Sequence, residues 1–115
     1  MSITRVLAQA TVTKLERAED WYTLLFDRPP DARPMDGLIE WRLGDSYGVQ
    51  VWVEVDRAGQ SSMVLSESDL DRLIARLDAS GVSHDPPQDV TASRILVLTD
   101  PDGNRIVVSG AFSSA

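Results

Sequence analysis

The chain has 115 residues, a length that suits one domain with a modest core and is too short for two independent ones. Its net charge of −7 argues against nucleic acid as a partner, because such affinity depends on clustered lysine and arginine. The absence of cysteine excludes disulfides, thiolate nucleophiles and cysteine-based zinc sites. No apolar run reaches the roughly 18 residues of a membrane span, and no signal-peptide pattern is present. We therefore expect a cytoplasmic protein that does not bind membranes.

The first half of the chain predicts a strand, a helix and then further strands. Residues 3 to 13 are rich in valine, isoleucine, threonine and alanine, which favour a strand. Apolar side chains then recur at helical spacing from residue 15 to residue 26, before two prolines end the helix. Residues 38 to 43 and 49 to 55 predict two strands, and the second of these alternates valine with other residues at a period of two.

The same order begins again after residue 60. Residues 62 to 66 predict a strand, and apolar residues at helical spacing between 70 and 77 predict a helix that Gly81 ends. Residues 95 to 99 and 105 to 109 predict a hairpin, since the intervening Asp-Pro-Asp-Gly-Asn favours a tight turn. The doubled pattern predicts an α+β fold in which two halves, residues 1–57 and 58–112, pack within a single domain of residues 1–115.

Three segments in this order resemble the glyoxalase, bleomycin-resistance and extradiol-dioxygenase superfamily, also called the vicinal oxygen chelate (VOC) superfamily. They are the first strand with the following LERAEDWYTLLF, the segment SDLDRLIARLDASGV, and the DPDGN turn before the last strand. The resemblance implies two paired βαβββ modules whose curved sheets form a cavity, within a homodimer.

In metal-dependent members of this superfamily, His, Gln or Glu ligands occupy matching inward positions of strands from both modules. The resemblance aligns those positions with Leu7, Ser62 and Val107, and only Gln50 keeps a possible ligand atom. A dication needs several charged or imidazole ligands to offset its dehydration. The single histidine, His84, is interpreted as a surface residue. We therefore expect neither a metal ion nor another cofactor.

Strand alternation extends the inward positions that the resemblance provides. Gln50, Trp52 and Glu54 then face the cavity, with Glu40 and Arg42 opposite, unless a register slip of one residue puts Trp41 there instead. The predicted ligand-binding residues are Leu7, Gln9, Glu40, Arg42, Gln50, Trp52, Glu54, Ser62, Val64, Val97 and Val107.

Apolar walls, one aromatic side chain and a few polar groups suit an organic ligand. The sequence predicts a metal-independent small-molecule-binding protein of the bleomycin-resistance type. It would sequester a cationic or aromatic ligand such as an antibiotic, with Glu40 and Glu54 available to pair with an amine. Two alternatives stay open. One is a metal-independent lyase or isomerase of the same superfamily, with Glu40 or Glu54 as its base. The other is a non-catalytic regulatory or partner subunit.

Overall fold

Two four-stranded sheets, one from each half of the chain, form the fold. The computed structural model describes residues 2–111, so Met1 and residues 112–115 of the predicted domain lie outside it. The first sheet has the strand order β1-β4-β3-β2 and the second has the order β5-β8-β7-β6. In chain order the elements are β1 (Val6–Val12), α1 (Leu15–Phe26), β2 (Ala32–Met35), β3 (Leu38–Arg42), β4 (Tyr47–Val53), a 3-10 turn (Val55–Arg57), β5 (Ser62–Ser66), α2 (Leu70–Ala79), β6 (Gln88–Asp89), β7 (Arg94–Thr99) and β8 (Arg105–Gly110).

Each half repeats one pairing scheme. β1 runs parallel to β4, and β5 runs parallel to β8, while the other neighbouring strands are antiparallel. The parallel pairs require a crossover, which includes α1 in the first half and α2 in the second. This doubled arrangement confirms the predicted α+β fold of two paired βαβββ modules.

Both helices are amphipathic and bury one side against the sheets. The buried positions are Ala18, Tyr22 and Leu25 in α1, and Leu70, Leu73 and Leu77 in α2, a spacing of three or four residues in each case. Arg76 of α2 also donates to the carbonyl oxygens of Leu24 and Leu25, the latter at 2.8 Å. These carbonyls at the end of α1 have no partner within their own helix, so Arg76 links the two halves. Between residues 2 and 111, no helix is long and apolar enough to cross a bilayer.

The sequence did not predict two short strands, β2 and β6. β2 contains Pro34, and β6 directly follows Pro86 and Pro87. Proline cannot donate to a ladder and is tolerated at sheet edges, where both of these strands lie.

The turn between β7 and β8 contains a buried carboxylate, Asp100. One of its oxygens accepts hydrogen bonds from the backbone N–H groups of Asp102 at 3.0 Å and Asn104 at 2.9 Å. The other accepts from the Asn104 amide and from the Tyr22 hydroxyl of α1, both at 2.8 Å. Burial and the nearby Asp100 charge raise the pKa of Tyr22, so its phenol remains a proton donor.

Asn104 extends this hydrogen-bonding to both sheets. Its side-chain amide donates to the Thr11 carbonyl of β1, and its side-chain oxygen accepts from the Ser61 N–H before β5, each at 2.8 Å. We refer to Tyr22, Asp100 and Asn104, with the backbone groups of Thr11 and Ser61, as the polar junction. It joins α1 and β1 of the first half to the hairpin turn of the second.

The loop before β5 passes very close to this turn at Gly59. A Cβ atom on Gly59 would lie 2.3 Å from the carbonyl oxygen of Asp102, and the residue has a φ of +83°. Both conditions favour glycine. Asp102 itself accepts hydrogen bonds from Thr13 at 2.6 Å and from Arg17 at 3.1 Å, so a second set of contacts joins the halves beside the polar junction.

The single histidine, His84, is partly exposed, and both of its ring nitrogens have hydrogen-bond partners. Its side chain is 11% exposed. Nε2 lies 2.6 Å from the Asp78 carboxylate and Nδ1 lies 2.7 Å from the Asp85 carbonyl oxygen. Two acceptors favour the protonated imidazolium, and the Asp85 carbonyl, assisted by the Asp78 carboxylate, raises the pKa of His84 despite its partial burial.

We predict that Asn104→Ala lowers the free energy of unfolding by about 3 kcal/mol, because it leaves the Ser61 N–H without a partner and removes one hydrogen bond each from the Thr11 carbonyl and the buried Asp100 carboxylate. Urea denaturation measures this change. The matched control is Asp45→Ala, an exposed aspartate in the corresponding β3–β4 turn, which should change stability by less than about 0.5 kcal/mol. Equal losses for the two variants would show that the polar junction has no special role in stability.

We also predict that the stability contributed by His84 depends on pH. A raised pKa in the folded state means that this contribution is complete below the ordinary value of 6.5 and is lost as pH rises through the folded-state pKa. The measurement is the difference in unfolding free energy between the wild type and His84→Gln across this range. His84 is the only histidine of the chain, so no other imidazole obscures the result. A difference that grows with rising pH would contradict the assignment.

Candidate functional site

Each sheet has one side against the helices and one side that faces away from them. In the first sheet Ile39, Trp41 and Val51 are fully buried, and the Trp41 ring centroid lies 6.0 Å from that of Tyr22 in α1. Alternation turns the intervening residues to the opposite side. We call these opposite sides the helix-free faces. They comprise Leu7, Gln9, Thr11, Leu38, Glu40, Arg42, Gly48, Gln50 and Trp52 in the first sheet, and Ser62, Val64, Ser66, Ile95, Val97, Thr99, Arg105, Val107 and Ser109 in the second.

Every predicted ligand-binding residue except Glu54 lies on a helix-free face. The register slip that would exchange Arg42 for Trp41 does not occur, since Trp41 packs against α1. β4 ends at Val53, one residue before Glu54, and the Glu54 carboxylate lies 3.9 Å from Arg57. The common placement is consistent with one binding surface, and the ligand-binding role of these residues remains a prediction.

A row of hydrogen-bonded side chains crosses the middle of the first helix-free face. Gln9, Gln50 and Glu40 occupy matched positions on three adjacent strands. Gln9 donates to Gln50 at 2.9 Å, and Gln50 donates in turn to Glu40 at 2.8 Å. The second Glu40 oxygen accepts from Arg42 Nε at 2.9 Å and lies 3.7 Å from Arg5. Both carboxylate oxygens of Glu40 are therefore engaged.

Glu40 is 2% exposed, yet it remains ionised. The hydrogen bond from Gln50, followed by that from Arg42, lowers the pKa of the Glu40 carboxyl below its ordinary value, and this outweighs the opposing effect of burial. A general base at neutral pH instead needs a pKa raised toward the working pH. The structure thus makes Glu40 a poor proton acceptor.

Trp52 provides the aromatic surface of the first helix-free face. It is paired with Thr11 of β1 and with Leu38 of β3, and its side chain is half-buried. Tyr22 and Trp41, in contrast, are fully buried in the core. Trp52 is consequently the tryptophan that a molecule on this face can stack against.

The donor atoms on these faces do not fit a divalent metal. Leu7 and Val107 have no donor, Ser62 offers only a hydroxyl, and the Gln50 amide is hydrogen-bonded at both its oxygen and its nitrogen. Within residues 2–111, no group of three or more histidine, aspartate or glutamate side chains is arranged to hold a metal. The function proposed below therefore includes no metal-dependent step.

A cavity also lies between the two halves, mostly on the helix side of the sheets. It has a volume of about 610 Å³. Val6 and Ala8 of β1 line it on one side and Val64, Leu65 and Ser66 of β5 on the other, so the two strands diverge as they leave the polar junction. We call this cavity the inter-sheet groove. Among the predicted ligand-binding residues, only Val64 lines it.

The groove occurs where the first half lacks a counterpart of the polar junction. The last paired residues of each hairpin are Arg42 with Gly48 and Thr99 with Arg105, so both turns contain five residues. Leu43 and Tyr47 therefore correspond to Asp100 and Asn104. Both line the groove, where neither a carboxylate nor an amide joins the halves. Sequence reasoning missed this cavity, although the change from Asp and Asn to Leu and Tyr at matching turn positions was a visible signal.

Known proteins resemble this chain in sequence pattern and in fold. The model of the Glyoxalase/Bleomycin resistance protein/Dioxygenase superfamily matches residues 15–108. Among curated proteins, none matches the chain significantly. A glyoxalase/bleomycin resistance protein from Catenulispora acidiphila DSM 44928 superposes with a TM-score of 0.86 at 22% identity, over 93% of this chain and 97% of that one.

Two further solved structures have the same fold but different descriptions. TnmS3, an antibiotic binding protein from Streptomyces sp. CB03234, has a TM-score of 0.80 at 26% identity, over 96% of this chain and 98% of that one. A lactoylglutathione lyase from Agrobacterium tumefaciens has a TM-score of 0.75 at 15% identity, over 91% of each chain. The fold alone is thus compatible with either binding or catalysis. The family match spans most of the chain, which therefore belongs to the glyoxalase/bleomycin resistance protein/dioxygenase superfamily.

Proposed function

We propose that this protein binds a small aromatic organic molecule on its helix-free faces and sequesters it without a metal ion. The observation that carries the proposal is the placement of Trp52 beside the hydrogen-bonded row of Gln9, Gln50 and Glu40. The positions that the family resemblance aligns with metal ligands, in contrast, hold Leu7, Ser62 and Val107. An aromatic surface beside a few fixed polar groups is typical of organic-ligand sites. Sequestration requires affinity alone, so no acid–base pair is needed.

An aromatic ligand is better supported than the cationic one that the sequence also allowed. An amine would need a free carboxylate, and the Glu40 oxygens already accept hydrogen bonds from Gln50 and Arg42. Glu54 has one carboxylate oxygen without a hydrogen-bond partner, but this oxygen is buried and the residue lies beyond the end of β4, off the helix-free faces. Trp52 is half-buried and leaves part of its ring accessible, and aromatic stacking contributes about 0.5 to 1.5 kcal/mol beyond area burial. The likeness to TnmS3, which is an antibiotic binding protein, supports an antibiotic as the kind of molecule bound.

The alternative of a metal-independent lyase or isomerase has less support. Its base would be Glu40 or Glu54, and the hydrogen bonds to Glu40 lower the pKa of that carboxyl. Glu54 lies beyond the end of β4, near Arg57, and outside the hydrogen-bonded row. A regulatory subunit with a filled pocket has no specific observation in its favour.

A homodimer is part of the proposal, because one chain leaves the helix-free face of the second sheet open. Val64 is 69% exposed in the middle of β5, although its neighbour Val107 in β8 is only 9% exposed. Apolar residues exposed on an open sheet face are typical of surfaces that another protein or a ligand covers. A second copy of the chain would cover this face and enclose the ligand, as the family resemblance implies.

We predict that EDTA-treated protein binds the neutral dye N-phenylnaphthylamine, and that Trp52→Ala weakens this binding roughly five- to thirtyfold, equivalent to about 1 to 2 kcal/mol. Dye fluorescence measures the affinity. Added Zn(II), Mn(II), Ni(II) or Fe(II) should leave it unchanged.

The matched control is Tyr47→Ala, which removes an exposed aromatic side chain that lines the inter-sheet groove. Tyr47→Ala should preserve dye affinity. If it abolishes binding while Trp52→Ala does not, the ligand occupies the groove and the helix-free face is the wrong site. Metal-dependent binding would contradict the metal-independent part of the proposal.

We also predict that the wild-type protein has the mass of a dimer in multi-angle light scattering, and that Val64→Lys shifts it toward the monomer. A buried lysine without a partner opposes association. The control is Val55→Lys, since Val55 is similarly exposed, at 65%, but lies in the 3-10 turn outside both faces. A monomeric wild type at tens of micromolar concentration would contradict the dimer.

A further inference from the structure

The charges on the helix-free faces differ in sign from the charge of the whole chain. The chain has a formal net charge of −7, with 18 acidic residues. The strand positions on the two faces contain one acidic residue, Glu40, and two basic ones, Arg42 and Arg105. Glu40 is buried, whereas both arginines are exposed. A ligand that approaches these faces therefore meets guanidinium groups and not the carboxylates that dominate the rest of the surface.

The contact of Arg42 with Glu40 occupies only part of the hydrogen-bonding capacity of its guanidinium group. It donates through Nε, and its side chain is 55% exposed. The guanidinium carries further N–H groups on its terminal nitrogens, which form a planar fork suited to an oxyanion. Asp31 accepts a hydrogen bond from the Arg42 backbone N–H and is itself paired with Arg28. The ion pair of Asp31 with Arg28 is neutral as a whole, so it adds no net negative charge beside Arg42.

Arg5 adds a second guanidinium at the same place. Its Nη2 lies 3.7 Å from the Glu40 oxygen that Arg42 already engages, and its side chain is 41% exposed. Two guanidiniums thus face one carboxylate, which leaves a local excess of one positive charge. Buried beneath them, Glu40 holds the cations in place and does not cancel both.

We infer that the molecule bound by this protein carries an anionic group, such as a carboxylate, sulfonate or phenolate, which Arg42 and Arg5 recognise while its aromatic part contacts Trp52. This inference rests on the proposed function and narrows its ligand class. Arg42 is paired with Gly48 in β4, four residues before Trp52. Four residues of a strand span about 13 Å, and the Arg42 side chain shortens the gap, so a ligand of two or three rings with an acidic end fits this spacing.

The test compares two dyes that share one aromatic framework. Anilinonaphthalene sulfonate has a sulfonate that neutral N-phenylnaphthylamine lacks. We expect the wild-type protein to bind the sulfonate more tightly, and Arg42→Gln to weaken sulfonate binding about three- to tenfold while leaving the neutral dye unchanged. Glu40→Gln should strengthen sulfonate binding, because it removes the negative charge and keeps an oxygen that accepts from Arg42.

Two controls separate charge from folding and from long-range effects. Arg72→Gln removes the same charge from an exposed position on α2 and should leave the affinity for both dyes unchanged. The triple variant Arg5→Gln, Glu40→Gln and Arg42→Gln removes all three charges and keeps an uncharged hydrogen-bonding pair at residues 40 and 42, so it should fold and bind the sulfonate no better than the neutral dye.

Three outcomes would overturn the inference. If the wild type binds both dyes equally and Arg42→Gln affects neither, the anionic group is not recognised, while the proposal of an aromatic ligand survives. If the cationic aromatic dye ethidium binds more tightly than the sulfonate, the ligand is a cation. If neither naphthyl dye binds, the inference fails together with the proposed function.

Discussion

The buried carboxylate of Asp100 is the interaction on which the rest of the structure depends. A charge in the protein interior is tolerated only when hydrogen bonds replace its hydration, and Asp100 accepts four, from its own turn, from Asn104 and from Tyr22. Because Asn104 also bonds to both Thr11 and Ser61, the carboxylate fixes more than a hairpin. Through Asn104, the Asp100 carboxylate fixes the position of β5 relative to β1.

The inter-sheet groove follows from the same constraint. The two halves repeat one topology, so a second junction would require an acid and an amide where Leu43 and Tyr47 stand. Neither side chain can form those bonds. The sheets therefore meet tightly near Thr11 and Ser61 and diverge toward Val6 and Ser66. The polar junction closes the end near Thr11 and Ser61, and at the groove Arg76 of α2 joins the halves through hydrogen bonds to the last carbonyls of α1.

Alternation along the strands, extended from the positions that the family resemblance supplied, predicted the shared face of the candidate residues except Glu54, which lies beyond the end of β4. It correctly put Glu40 and Arg42 beside Gln50 and left Trp41 in the core, because a buried sheet face imposes a strict period of two. Alternation could not predict β2, whose proline-containing edge has no buried face to impose a pattern. It also could not predict that Glu40 is already paired, since two residues on one face can point at each other or at a ligand.

The pairing of Glu40 bears both on whether the protein could catalyse a reaction and on which class of ligand it binds. A free Glu40 would serve equally well as a base or as a partner for an amine, and these roles underlie the catalytic and cationic alternatives. The hydrogen bonds from Gln50 and Arg42 lower the pKa of Glu40 and engage both its oxygens, so they weaken both alternatives at once. The same contacts leave Arg42 and Arg5 as the accessible charges. Because Glu40 is buried and paired, the accessible charges on this face are positive, and the face suits an anionic ligand.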